Sequence, residues 1–225
     1  MLSNFIKRSI TSLILIFIMS FSLFYNEISW KLLVIIFSFI CFFEFYNLLN
    51  KIFINKILKL LINLLIIFYL YFFYLLLIKI KNDYGEEIIL ILLISCIFSD
   101  IGGYIVGKNI GGPKLTSISP NKTISGALGS IIFTIIGTSI VIFFLIKINK
   151  ISISSKFSYE IFIWMIMMSI YCQIGDLLVS YLKRKAKVKD TGNILPGHGG
   201  ILDRVDGIIF AVPFGILTYF LLIPR

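Results

Sequence analysis

The chain has 225 residues, 59% of them hydrophobic and 14% charged, whereas soluble domains are about 45–50% apolar and about 25% charged. This composition and a mean hydropathy of +1.01 exclude an ordinary soluble globular protein. The net charge of +10 favours anionic lipid or a phosphate-bearing substrate over nucleic acid, because the apolar residues indicate a bilayer. The three cysteines lie singly in apolar runs, so neither a disulfide framework nor a zinc site is predicted.

Seven apolar stretches follow one another along the sequence, and a spanning helix needs roughly 20 such residues. They cover residues 10–25, 30–49, 60–78, 88–106, 124–146, 159–182 and 207–223. Long unbroken runs are typical of helices, since a membrane barrel would show shorter, alternating segments. The sequence therefore predicts an all-α, polytopic integral membrane helix bundle with about seven transmembrane helices.

The positive charges indicate how these spans are oriented. Cytoplasmic segments carry an excess of Lys and Arg, and a cytoplasmic amino terminus puts two thirds of the 21 such residues on that side. Three acids within the apolar runs, Glu44, Asp100 and Asp176, then lie toward the cytoplasmic ends of their spans. A carboxylate in hydrocarbon is costly and is a functional candidate. For Glu44, helix packing near the membrane interface is at least as good an explanation.

Glycine and proline divide the chain lengthwise. No glycine precedes Gly85, and no proline precedes Pro113. Glycine is used where a backbone turns sharply or approaches a ligand closely. We therefore predict a membrane anchor of three helices in residues 1–87 and a catalytic membrane domain in residues 88–225, with cytoplasmic loops at 107–123 and 183–206.

The most polar stretch, residues 180–207, combines a cationic run with a glycine-rich turn and several acids. Attraction to lipid headgroups, about 1 kcal/mol per basic residue, explains the cationic run but not the turn with its carboxylates. Asp203 and Asp206 are spaced i, i+3 and would share one helix face. Together with Asp176 they form an oxygen donor set of the kind that Mg²⁺ takes. The alternative for Asp206 is a helix N-cap.

Basic residues around such a metal would neutralise substrate phosphates, so the segment predicts a phosphoryl or nucleotidyl transfer site. His198, the only histidine, either holds the turn or contacts a phosphate or leaving group. The catalytic candidates are Asp176, Asp203, Asp206, Lys183, Arg204 and His198.

A second polar region, residues 99–126, contains Asp100, five glycines within residues 102–112, and then Ser119, Pro120, Lys122 and Thr123. This pattern suggests a phosphate-cradling loop, although it lacks the Walker spacing. Gly103 and Gly107 form a GxxxG pair, which close helix packing explains.

From Ser180 to Asp206 the chain reads S-x-x-KR-x4-KD-x-G-x-x-L-P-x-HGG-x-x-DR-x-D. This string resembles the signature of the integral-membrane phosphatidate cytidylyltransferases, also called CDP-diacylglycerol synthases. GDL at 175–177 and SPxKT at 119–123 resemble two further pieces of that family's pattern. Family members usually carry acids where this chain has Ser125 and Val179. The similarity extends over the second half of the chain, and the first three spans share only hydrophobicity.

The resemblance implies conversion of CTP and phosphatidate to CDP-diacylglycerol and pyrophosphate, with Mg²⁺ as cofactor and K⁺ as an accompanying cation. It implies metal ligation by Asp176, Asp203 and Asp206, and an active site on the cytoplasmic face of the inner or plasma membrane. No nucleic-acid partner is expected, and a homodimer is one of the oligomeric states that the sequence allows. The expected substrate contacts are Ser119, Pro120, Lys122, Thr123, Arg184, Lys189, Asp190, Gly199, Gly200 and Asp100.

Two other kinds of protein fit parts of the sequence. One is a related CTP-dependent enzyme acting on another lipid, such as a CDP-archaeol synthase or a polyprenol kinase. The other is a transporter or scramblase, which would place polar residues at midplane depth on several helices. In this chain the charges gather toward one surface instead.

Overall fold

Seven helices make up the computed structural model, which describes residues 2–150, 159–197 and 199–222, with side chains from residue 10 onward. They are α1 (Leu2–Tyr25), α2 (Glu27–Ile52), α3 (Lys56–Tyr84), α4 (Glu86–Ile110), α5 (Ile124–Lys147), α6 (Tyr159–Lys185) and α7 (Leu202–Leu222). Over these residues the only β pairing is two isolated bridges. The predicted all-α class is confirmed. His198 lies outside the described residues, so its predicted role is not tested.

Six of the helices, α2 to α7, are long and apolar enough to cross a membrane by length and composition. The part of α1 whose side chains are described, Ile10–Tyr25, is a shorter apolar helical stretch. The shortest of the six has 21 residues, and at about 1.5 Å per residue it matches a hydrocarbon core of about 30 Å. The predicted polytopic membrane fold is confirmed, whereas the cytoplasmic amino terminus stays a prediction.

Most helices extend beyond the apolar stretches that predict them, because charged residues continue the helix at its ends. Lys183, Arg184 and Lys185 form the last turn of α6, where positive charge interacts favourably with the helix dipole. At the other end of the polar segment, α7 begins at Leu202, five residues before the predicted span. Asp206 therefore lies inside α7, and the alternative that made it an N-cap is wrong.

The chain forms two compact units. The first contains α1, α2, most of α3 and the segment Leu182–Val205. The second contains α4, α5, most of α6 and α7 from Asp206 onward. We call residues 186–201, which join α6 to α7, the signature loop. This loop belongs to the same unit as the first helices, while the predicted domain boundary at residues 87 and 88 stays a prediction.

In the second unit, glycines bring α4 and α5 into close contact. A Cβ added at Gly102 would lie 2.5 Å from the carbonyl oxygen of Gly129, and one at Gly107 would lie 3.4 Å from the Cα of Gly126. Gly103 faces Ser130 in the same contact. The packing explanation of the GxxxG pair is therefore confirmed, because these small residues let the two backbones approach.

Replacing Gly102 by alanine should destabilise the second unit, because the added methyl group meets backbone that cannot move aside. Overpacking of this kind costs roughly 1–3 kcal/mol. Thermal unfolding of the purified protein in detergent measures the loss. Ile101→Ala is the control, since Ile101 is 40% exposed on the same helix. Equal midpoints for the two variants would contradict the predicted contact.

Candidate active site

In the first unit, Asp203 ties together the end of α6, the signature loop and the start of α7. Its Oδ1 accepts a hydrogen bond from Lys183 Nζ at 2.6 Å. Its Oδ2 accepts from the backbone N–H groups of Thr191 at 2.7 Å and Gly200 at 3.1 Å. The side chains of Asp203 and Lys183 are 3% and 15% exposed. A carboxylate buried to this degree needs such donors, and Lys183 supplies the compensating charge.

Glu44 of α2 also accepts hydrogen bonds from the signature loop and from the first residue of α7. Its Oε1 accepts from the N–H of Ile201 at 3.0 Å, and its Oε2 accepts from the N–H of Leu202 at 2.9 Å. The hydroxyl of Thr191 donates to Oε2 at 2.6 Å. Glu44 is 3% exposed. The sequence marks Glu44 as an acid in an apolar run, but its partners were not predicted because they lie far along the chain.

Glycines of the signature loop leave the space that these carboxylates occupy. A Cβ at Gly192 would lie 2.7 Å from Glu44 Oε1, and one at Gly200 would collide with both Glu44 and the Thr191 hydroxyl. Gly199 adopts a φ of +85°, a region that favours glycine, and the side chain of Asp190 lies beside it. Gly199 and Gly200 are therefore needed for the conformation of the loop, whatever they contribute to substrate binding.

In the second unit, Lys122 and Asp176 form an ion pair. Their side chains are 28% and 30% exposed, so water reaches both groups. Ser180, one turn along α6, donates to Asp176 Oδ1 at 3.4 Å. The pair joins the SPxKT motif to the GDL motif.

The loop that carries Lys122 is held by its own backbone. The N–H of Leu115 donates to the carbonyl of Lys122 at 2.8 Å, and the N–H of Lys122 donates to the carbonyl of Ser119 at 3.0 Å. Thr123 caps α5, since its Oγ1 accepts from the N–H of Gly126 at 3.1 Å. Ser125, which stands where the family carries an acid, donates its hydroxyl to the carbonyl of Gly111. It helps to close the loop.

Two further acids of the predicted site, Asp206 and Asp100, also lie in the second unit. Asp206 accepts from the N–H of Gly207 at 2.9 Å, and a Cβ at Gly175 would lie 2.6 Å from the Asp206 carbonyl oxygen. The glycine of the GDL motif thus allows α6 to approach α7 closely. Asp100 is an exposed residue of α4 rather than part of a loop, and Cys172 Sγ lies 3.7 Å from its Oδ1.

The structure thus forms one lysine–aspartate pair in each unit, Lys183 with Asp203 in the first and Lys122 with Asp176 in the second. Among the predicted substrate contacts, the exposed residues are Asp100, Pro120, Arg184, Lys189 and Asp190, and the catalytic candidate Arg204 is also exposed. Val179, where the family carries an acid, is 5% exposed. Within residues 2–150, 159–197 and 199–222, no group of three or more His, Cys, Asp or Glu side chains forms a metal-binding cluster.

The donor chemistry of the aspartates nevertheless suits Mg²⁺, which prefers carboxylate oxygens and keeps several waters. Asp176 is open to water, and the Oδ1 of Asp203 accepts from Lys183. A carboxylate oxygen can accept more than one bond, so Oδ1 retains capacity for a cation. The Oδ2 of Asp203 has three donor groups around it and is the poorer candidate.

Fold and site together define a polytopic integral membrane protein with lysine–aspartate pairs in its polar segments. A sequence model of the Cytidylyltransferase family matches residues 53–222. This match covers more than half of the chain, and the chain therefore belongs to that family. The resemblance based on the signature is confirmed at this level.

Three curated relatives illustrate the similarity, and each is named phosphatidate cytidylyltransferase. The Helicobacter pylori protein is 38% identical over 144 residues, covering 63% of this chain and 51% of the relative. The Bacillus subtilis protein is 42% identical over 148 residues, covering 64% and 51%. The Brucella suis protein is 37% identical over 148 residues, covering 64% and 52%. The chain spans about half the length of the curated relatives it matches.

Removing the charge of Lys183 should destabilise the first unit, because Asp203 would remain buried without a counterion. Leaving a partly buried carboxylate without its charged donor costs about 1–3 kcal/mol. We expect Lys183→Met to lower the unfolding free energy in detergent by this amount. Lys185→Met, in the same last turn of α6 but exposed, is the matched control. A stability loss no larger than that of the control would contradict the pairing.

Proposed function

We propose that the chain transfers a cytidylyl group from CTP to phosphatidate, forming CDP-diacylglycerol and pyrophosphate. Membership in the Cytidylyltransferase family and the names of the relatives support this assignment. The observation that carries it is the Lys122–Asp176 ion pair. Two motifs far apart in the sequence meet there, and together they offer an ammonium group for phosphate and a carboxylate for a divalent cation.

The proposed reaction is a direct in-line displacement. A phosphate oxygen of phosphatidate attacks the α-phosphorus of CTP, and the bond from that phosphorus to the oxygen bridging to the β-phosphate breaks. Pyrophosphate leaves with the bonding electrons. The attacking oxygen is already anionic near neutral pH, so neither a protein base nor a covalent enzyme intermediate is required. The residues act by positioning the phosphates and offsetting their charge.

Mg²⁺ is the proposed cofactor, with Asp176, Asp203 and Asp206 as its ligands. When bound, it would offset charge on the triphosphate and on the leaving pyrophosphate. Asp203 and Asp206 support this role because they lie one turn apart in α7, at the spacing that shares a helix face. K⁺ as an accompanying cation rests on the family resemblance alone.

Cationic side chains would hold the substrate phosphates. Lys122 and Lys183 each lie against an aspartate, and a lysine ammonium has three hydrogens. Each can therefore donate to a phosphate oxygen while keeping its carboxylate partner. We assign the same kind of contact to the exposed Arg184 and Arg204. His198 is proposed to contact a phosphate or the leaving group.

Both substrates are compatible with a membrane location. The acyl chains of phosphatidate would stay in the bilayer between helices, while CTP arrives from water. We propose that this occurs on the cytoplasmic face, where the predicted topology puts the basic segments. A homodimer stays a prediction.

The assay that tests the reaction uses the purified full chain in mixed micelles with phosphatidate, Mg²⁺ and labelled CTP. We expect label in the lipid from α-labelled CTP and label in pyrophosphate from γ-labelled CTP. Label reaching the lipid from the γ position would indicate a kinase instead. No labelled lipid from either nucleotide, with phosphatidate or with extracted lipids, would reject the proposal.

Neutralising Lys122 should weaken nucleotide binding more than turnover. A hydrogen bond to a charged group contributes about 1.5–3 kcal/mol, so Lys122→Gln should raise the KM for CTP about tenfold or more. Glutamine avoids placing a second carboxylate beside Asp176. Lys114→Gln, exposed in the same loop, is the control and should leave the KM unchanged. An unaltered KM for Lys122→Gln would remove the residue from the phosphate contacts.

A further inference from the structure

Glu44 of α2 lies outside residues 53–222, the part of the chain that the family model matches. Yet its carboxylate accepts hydrogen bonds from the signature loop and from the start of α7. We propose that Glu44 is a positioning residue for the transfer reaction, acting on Asp203 and Lys183 through Thr191. This inference rests on the proposed function for its catalytic part and on geometry for the rest.

Glu44 accepts the hydrogen bonds of backbone N–H groups at the start of α7. The N–H groups of Ile201 and Leu202 stand at the start of α7, where a helix has no carbonyl of its own to accept them. Glu44 accepts both, at 3.0 and 2.9 Å. A negative charge at a helix amino terminus is also favoured by the helix dipole. A residue of α2 therefore does the work that a local N-cap usually does, and it fixes where α7 begins.

Thr191 links Glu44 to Asp203 through hydrogen bonds. The Thr191 hydroxyl lies 2.6 Å from Glu44 Oε2 and 3.0 Å from Asp203 Oδ2. It has a single hydrogen and donates to one carboxylate at a time, while the Thr191 N–H donates to Asp203 at 2.7 Å. Asp203 in turn pairs with Lys183 at 2.6 Å. Moving Glu44 would therefore shift Thr191 and, through it, the pair assigned to catalysis.

The signature loop packs closely around the Glu44 carboxylate. A side chain at Gly192 or Gly200 would run into its carboxylate. If Glu44 served only to pack α2, an apolar residue would fill the space without the cost of burying a carboxylate. The glycines and the three donors together indicate a site built for this acid.

The direct test is Glu44→Gln in the full chain, in the same micelles. Glutamine offers one carbonyl oxygen and sets its NH₂ group against N–H donors. Hydrogen exchange in peptides covering 190–197 and 199–202 should therefore rise about tenfold or more, while exchange in α5 stays unchanged. Glu27→Gln is the matched control, because Glu27 lies on the same helix with its side chain 50% exposed. It should leave hydrogen exchange in the loop and the kcat of the transfer reaction unchanged.

The kinetic readout separates positioning from simple stabilisation. Glu44→Gln should lower kcat roughly 10- to 100-fold, because it disturbs the positions of Asp203 and Lys183. Because Glu44 touches no substrate in the proposed mechanism, the KM for CTP should stay within about threefold of the wild-type value. A fall in thermal stability with unchanged kcat, or unchanged exchange in the loop, would overturn the proposal.

A second pair of variants keeps the test decisive if Glu44→Gln does not fold. Thr191→Val removes the bridging hydroxyl at nearly constant shape, whereas Thr191→Ser keeps it. We expect the valine variant to lower kcat and the serine variant to restore most of it, and equal activities would overturn the path through Thr191. If the wild-type chain makes no CDP-lipid, the proposed function fails, and the exchange comparison still decides whether Glu44 holds the loop.

Discussion

A carboxylate buried away from water must receive hydrogen bonds, and this requirement organises the polar end of the first unit. The residue Glu44 and the side chain of Asp203 are each 3% exposed. Besides Lys183 and the Thr191 hydroxyl, their donors are backbone N–H groups of the signature loop and of α7. Each N–H can point at a carboxylate only if the backbone turns in a particular way. Satisfying the two acids therefore fixes the course of the loop.

The same requirement explains the loop's composition. Gly192 and Gly200 stand where a Cβ would run into Glu44, and Gly199 takes a positive φ. A glycine-rich sequence next to basic residues is also typical of a phosphate-binding loop. Some of these glycines, however, are needed because buried carboxylates occupy the space beside them, whether or not a ligand binds.

The spans could be predicted from the sequence, because each is a long apolar run. The i, i+3 spacing of Asp203 and Asp206 at the start of α7 could also be predicted. Residue type and motif indicated Lys122, Lys183 and Asp176. The apolar run marks α7 only from residue 207, five residues after the helix begins, since charged residues at a helix end carry no apolar signal. The partners of Glu44 could not be predicted, because hydrogen bonds across more than a hundred residues leave no local pattern.

The close crossing of α4 and α5 has a consequence for the loop that joins them. Gly107 and Gly126 touch backbone to backbone at the base of residues 111–123, so the two ends of that loop are clamped together. A bilayer that thins or thickens can change the tilt of helices, and a crossing this close favours the two helices tilting together. We therefore expect the position of Lys122 to change little with the thickness of the membrane whose lipids the protein is proposed to use.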